Sequence, residues 1–155
     1  MTGRLSDHLS VVEYISTQHR DLVAEQERAW VADERLHRNA QRLALDVFEP
    51  VRAALGVPLH VTSGFRCPRL NEAVGGKPNS LHLEALAIDV VPVGIDPQPA
   101  LFVLLHAMRR GELPRVDQVI VELGRWLHLS AAREGAAARR LAMETADGRT
   151  FARVS

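Results

Sequence analysis

The chain has 155 residues, 25% of them charged and balanced to a formal net charge of zero, and one cysteine. That length suits one domain with a real core; the balance offers no basic field for nucleic acid, and a single thiol excludes an intrachain disulfide or a cysteine-based zinc finger. No apolar run approaches the ~18 residues of a membrane span, and MTGRLSDHLSVVEYIS has no apolar core behind a basic head, so synthesis in the cytoplasm without a Sec signal is expected.

Residues 1–34 are polar and charge-mixed, with few apolar anchors, Val12, Tyr14, Ile15 and Trp30 among them. They predict one or two short helices, a solvated arm packing on the main body with no chemistry of its own. His8, His19 and His37, among polar neighbours, read as ordinary exposed histidines. The body, residues 35–155, opens with a clear helical period from Glu34 to Leu55, where Leu36, Leu43, Val47, Phe48, Val51 and Leu55 share a face. Pro50 removes a backbone donor and predicts a kink or a new start, and Gly56 predicts the stop. VPLHVTSGF alternates like a strand, and CPRLNEAVGG predicts a short helix with Pro68 in its first turn. After a Gly/Lys/Pro/Asn loop, ALAIDVVPV predicts an apolar strand.

DPQPALFVLLHAMRRG predicts a helix with Asp96 as N-cap, Leu101, Leu104, Leu105 and Met108 inward, and Gly111 at its end. His106 reads as a core or boundary histidine beside that face. DQVIVELGRWLHLS predicts two strands around a tight turn at Gly124, and RRLAMETADGRTFARV a second hairpin turning at Asp147-Gly148. Helices first, then a mostly antiparallel sheet, is an α+β pattern in a small single domain.

His82, Asp89 and His128 could supply three ligands to a zinc ion, the first from a loop, the second from the strand it enters, the third from a neighbouring strand. Spacing alone leaves open the plainer reading, a loop histidine and a strand-end aspartate. The flanking residues add to it. Ser63 to Arg66 (SGFR), Ser80 to His82 (SLH), Ala87 to Asp89 (AID) and Trp126 to His128 (WLH) occur in that order. From about Leu43 to Ser130 the chain resembles the zinc D-Ala-D-Ala carboxypeptidase family of peptidoglycan metallopeptidases, and is most similar to its phage-type branch.

The resemblance implies the small α+β fold shared by those carboxypeptidases and the hedgehog signalling domain. It implies Zn2+ held by His82, Asp89 and His128, with Arg66 stabilising a substrate carboxylate or an oxyanion, which suits its fork of donors. Ser80 and Trp126 would line the substrate site, while Cys67 matches no family role and reads as a small packed residue. Two positions depart from the pattern. Many members place the catalytic acid three residues before the last histidine, where this chain has Arg125; the nearest upstream carboxylate is Glu122. A three-residue loop of Leu123, Gly124 and Arg125 would pair Glu122 with Trp126 and set it on the His128 face. A two-residue loop would turn it away. Ala85 stands where the family has glycine, and a slight backbone change is expected.

The function so implied is a zinc peptidase hydrolysing peptidoglycan stem peptides, as carboxypeptidase or endopeptidase, with Glu122 as base, acting at the cell wall after phage- or secretion-type delivery. No nucleic-acid partner and no membrane insertion are expected, and a monomer is the working expectation. A catalytically weak or inactive zinc-binding module of a phage tail or secretion system is the alternative, favoured by Arg125 and by the open direction of Glu122. A dipeptidase working in the cytoplasm is a third.

Overall fold

The computed structural model describes residues 2–155. The chain opens with a small hairpin, β1 (Arg4–Ser6) and β2 (Leu9–Ser10), and runs directly into α1 (Val11–Ile15). Ser10 and Glu13 close a reciprocal capping box at that junction. A 3-10 turn at Arg20–Leu22 leads to α2 (Val23–Ala32). The short helices expected of residues 1–34 are present; the hairpin was not anticipated. The segment packs on the body as expected, yet it is far less solvated than its composition suggests. Leu5, Leu9, Val11, Tyr14, Ile15, Leu22 and Trp30 join the common core. Tyr14, Trp30 and Phe65 form one aromatic cluster, with ring centroids 5.6–5.9 Å apart.

The helical period from Glu34 to Leu55 is realised as α3 (Glu34–Leu43), a π-type turn (Ala44–Phe48) and α4 (Glu49–Leu55). All six apolar residues of the expected face are buried, together with Ala40 and Ala44. Pro50 explains the break in period. A proline ring clashes with the carbonyl four residues back and donates no bond. Here the backbone widens just before it, and Glu49 N–H donates to Ala44 O, five residues back. Gly56 ends α4 in the left-handed conformation at φ +69°.

The sheet follows: β3 (Leu59–Ser63), then α5 (Pro68–Ala73), a 3-10 turn (Leu81–Glu84), β4 (Ala87–Pro92), α6 (Pro97–Arg109), β5 (Val116–Glu122), β6 (Trp126–Ala131), β7 (Leu141–Thr145) and β8 (Ala152–Arg153). Six strands lie in the order β3-β4-β6-β5-β7-β8, antiparallel except for the parallel pair β5–β7. This is a small α+β domain with a mixed, mostly antiparallel sheet. Alternation along the central strands sorts side chains between two faces. Ile88, Val90, Val119, Val121, Leu127 and Leu129 are buried in the core with Leu43, Val47, Phe48, Leu101 and Leu104 of the helical layer. Each such side chain stabilises the fold by about 1.5–3 kcal/mol. The intervening residues, Asp89, Ile120, Glu122, Trp126 and His128, line an open cleft of about 1250 Å³ on the other face.

Three local expectations need correction. His106 lies on the exposed face of α6, neither core nor boundary. Asp96 occupies the N-cap of α6 but its side chain makes no capping hydrogen bond; two prolines in the first turn, Pro97 and Pro99, leave few donors there to cap. His37 is half-buried, its ring edge-on to Trp30. Cys67 is fully buried, as its reading implied. Among the described residues no helix is long and apolar enough to cross a membrane.

Candidate metal centre

The centre is built by the pairing of two strands. Asp89 of β4 lies directly opposite His128 of β6, so their side chains stand side by side on the cleft face. The Nδ1 of His128 is 2.9 Å from Asp89 Oδ1. His82 comes from the 3-10 turn that precedes β4, and its Nε2 is 3.3 Å from the same oxygen. Among the described residues these three form the one group whose possible ligand atoms converge, all within 4.8 Å of one another.

Three supports fix His82. Ser80 caps its turn by accepting from His82 N–H, and Arg66 N–H donates to His82 O at 3.1 Å. On the ring, Nδ1–H donates to Gly64 O at 2.7 Å. A carbonyl can only accept, so the proton sits on Nδ1 and the lone pair of Nε2 points at Asp89. Ala85, which ends the turn, adopts φ +56°, the left-handed region where a glycine is unstrained and alanine costs about 1 kcal/mol. The backbone keeps that shape despite the side chain, in line with the slight change expected.

The donor set fits zinc. At metal–ligand distances of ~2.0–2.2 Å, donors around a tetrahedral ion lie about 3.3–3.6 Å apart; from Asp89 Oδ1 the separations are 3.3 Å to His82 and a shorter 2.9 Å to His128. The electrostatics point the same way. Burial works against the Asp89 charge, but the two imidazoles hold its pKa far below the carboxylate range. Burial lowers the pKa of His82, opposed by the charge of Asp89. Burial also opposes charge on His128, yet the hydrogen bond to Asp89 and the charges of Asp89 and Glu122 raise its pKa. The convergence point thus favours positive charge, which a divalent cation satisfies better than a proton.

Arg66 reaches the opposite side of Asp89. Its Nη2 donates to Oδ2 at 3.0 Å and its Nε to Ser63 Oγ at 3.0 Å, with 13% of its side chain exposed. The carboxylate is divided, Oδ1 toward the imidazoles and Oδ2 toward the guanidinium. Among the described residues Nη1 makes no hydrogen bond, so Arg66 retains donors for the cleft it lines. A register shift in β3 between Val61 and Ser63 brings Ser63 opposite Asp89.

The β5–β6 connection is the three-residue loop, with Leu123 and Gly124 both left-handed at φ +54° and +66°. Glu122 therefore pairs with Trp126 and shares the His128 face; its Oε1 is 3.8 Å from His128 Nδ1. Burial raises the Glu122 pKa, opposed by the charge of His128. Trp126 is half-exposed at the cleft, with an indole N–H that has no protein partner among the described residues. Ser80 and Arg125 line the same cleft, the latter at its exposed rim.

A layer behind the centre was not legible beforehand. Tyr14 donates its hydroxyl to Ala87 O at 3.0 Å and accepts from Phe65 N–H at 3.0 Å through its own carbonyl. Gln26, 1% exposed, donates to Ile15 O and Phe65 O and accepts from Cys67 N–H at 2.7 Å, bracketing Arg66 on both sides. These contacts span up to 73 positions and leave no local pattern. Gly64 was the one visible hint, in the SGFR stretch.

No curated protein matches the chain. The model of the Peptidase M15 family matches residues 18–130, which takes in His82, Asp89, Glu122 and His128 and begins well before Leu43, within the arm. Members of that family are zinc peptidases, and the His-Asp-His group suits their metal. The match covers most of the chain, and the chain belongs to the Peptidase M15 family, that of the zinc D-Ala-D-Ala carboxypeptidases.

Proposed function

We propose that this metallopeptidase hydrolyses stem peptides of peptidoglycan, as a D-Ala-D-Ala carboxypeptidase or an endopeptidase, and that His82 through Nε2, Asp89 and His128 through Nδ1 hold its zinc. The observation that carries the reading is the direction of Glu122: a carboxylate with a raised pKa, 3.8 Å from a ligand atom, on the open side of the triad. Zinc supplies Lewis acidity there, polarising a carbonyl and bringing the pKa of water to about 7.

Glu122 takes the proton of the attacking water and returns it to the departing amine, a role suited to a carboxylate whose pKa burial moves toward neutrality. Arg66 holds Asp89 with Nη2 and offers Nη1 to the oxyanion or to a terminal carboxylate. Trp126 and Ser80 line the peptide's path. A peptidoglycan substrate puts the site of action in the cell wall. The alternative, an inactive zinc-binding module, drew its support from an absent base, and the inward Glu122 favours the enzyme.

Purified murein, digested with zinc-loaded protein and resolved by mass spectrometry, tests this. Wild type should release terminal D-Ala or split cross-links. Glu122→Gln should keep its zinc and lose roughly 10²–10⁴-fold in rate. Intact stem peptides after exhaustive incubation with wild type would hand the site to the structural module.

A further inference from the structure

The cleft carries a charge that hydrolysis at the triad does not require. The chain as a whole is neutral, yet six Lys/Arg side chains line the cleft against three carboxylates. Three of the cations are committed: Arg66 to Asp89 at 3.0 Å, Arg133 to Glu84 at 2.6 Å and Arg139 to Asp117 at 2.7 Å. Of the carboxylates only Asp89 is matched by a cation, and Asp147 keeps its charge within its turn. Asp89 sits in the triad, and Asp147 Oδ1 accepts from Arg149 N–H and Thr150 N–H inside its own turn. What remains is Lys77, Arg125 and Arg149, with no carboxylate partner among the described residues, against the charges of Glu122 and Asp147.

The three come from three separate loops around the triad. Lys77 precedes the His82 turn, Arg125 closes the β5–β6 loop, and Arg149 stands between β7 and β8. They are exposed, but their backbones are held. Ser80 N–H and the Asn71 amide both donate to Lys77 O, at 3.0 and 2.9 Å. Arg125 N–H donates to Glu122 O at 2.9 Å, and Arg149 N–H to Asp147. Lys77 Nζ lies 4.7 Å over the ring of Phe151, which ties the first loop to the third across the cleft. Unpaired like charges on a concave, low-dielectric wall focus their field into it. A dipositive ion beside a single carboxylate ligand adds to that field.

Resting on the peptidase reading of this cleft, we propose that Lys77, Arg125 and Arg149 form a cationic rim that selects peptides bearing a free carboxylate away from the scissile bond. An acidic branch or side-chain carboxylate is favoured over its amide, since a neutral amide gains nothing from the field and still surrenders water.

The test uses two synthetic stem peptides of one sequence, one with free branch carboxylates and one with those groups amidated, each also made with a reduced, uncleavable scissile bond. Calorimetry with zinc-loaded protein reads binding of the uncleavable pair; mass spectrometry reads cleavage of the other. Wild type should bind the acid form roughly tenfold tighter at low salt, with the preference shrinking at about 0.5 M salt. Arg125→Gln, Arg149→Gln and Lys77→Gln should each remove roughly twofold of that preference. The triple variant should abolish it, with affinity for the amidated peptide and the melting temperature unchanged. Equal binding of the two peptides by wild type, or a preference that survives in the triple variant, overturns the rim. Preference without cleavage upholds the rim and removes hydrolysis; cleavage without preference does the reverse.

Discussion

Replacing Gly64 by alanine tests how the metal centre is assembled. A β-carbon there would lie 2.0 Å from the carbonyl oxygen of Tyr14 and 2.5 Å from its Cδ2. The gap must open by more than an ångström, and neither side yields cheaply. Tyr14 is fully buried, its hydroxyl bound to Ala87 O and its carbonyl to Phe65 N–H. Losing one buried hydrogen bond costs about 1–3 kcal/mol, and overpacking a further 1–3 kcal/mol or so. At about 2–4 °C per kcal/mol for a domain of this size, the melting temperature should fall by roughly 5–20 °C. A second effect follows, because Gly64 O accepts from His82 Nδ1–H at 2.7 Å. Displacing it frees the imidazole, and losing such a partner behind a ligand costs about 10–100-fold in metal affinity. Competition against a chromophoric chelator, well below the melting temperature, reads the second effect. Leu104→Ala in α6 is the control: it should destabilise by about 2–5 kcal/mol and leave zinc affinity alone. Refutation is a Gly64→Ala protein that melts with wild type, or one that melts early but binds zinc as tightly.

Asp89→Asn should lose zinc on dialysis against chelator and unfold more readily even without metal, since it strands the Arg66 guanidinium; breaking such a pair costs about 3–5 kcal/mol, and retention of stoichiometric zinc would contradict it. Gln26→Leu should leave the Cys67 amide without its acceptor, so hydrogen exchange there should accelerate while amides of β6 stay protected; uniform loss of protection would show a global effect instead. Asp117 gives a pH signature. Burial opposes its charge, but its hydrogen bonds to Arg139 hold its pKa below the ordinary value. A depressed folded-state pKa stabilises above the unfolded value of about 3.9 and is lost as pH falls through the folded one. Asp117→Asn should therefore melt below wild type by a constant margin above pH ~5, and that margin should shrink as pH falls below ~4; a margin that widens in acid would contradict the assignment.

The elements that could be read beforehand carried their signal locally. The six-residue apolar face from Leu36 to Leu55 needed only helical periodicity, and Gly56 and Pro68 marked boundaries through their own backbone restrictions. The direction of Glu122 came down to loop length, and Leu123 and Gly124 settle it by both adopting positive φ, which closes a three-residue connection. The hairpin Arg4–Ser10 escaped because its strands have three and two residues, too few to show alternation. The depth of the first 34 residues escaped for another reason. Their anchors are widely spaced along short helices, and Trp30, on which Tyr14 packs, meets Phe65, an aromatic far along the chain. His106 was misplaced by nearness to Leu105, when one helical step is enough to turn a side chain from the core to solvent.

Arg66 both closes a salt bridge with Asp89 at the strand–helix junction and lines the cleft. An aspartate free to turn could offer a metal either oxygen or both. Here Arg66 Nη2 takes Oδ2, which leaves Oδ1 as the oxygen shared with His82 and His128. The guanidinium can do this only if its own stem is held. Ser63 Oγ accepts from its Nε, and Gln26 grips the peptide groups on either side of it. Gln26 belongs to α2, and Tyr14, which holds the preceding residue, to α1. The chain of support therefore runs from the N-terminal segment through Arg66 to the ligand oxygen. A segment that adds no side chain to the triad still fixes which Asp89 oxygen faces His82 and His128.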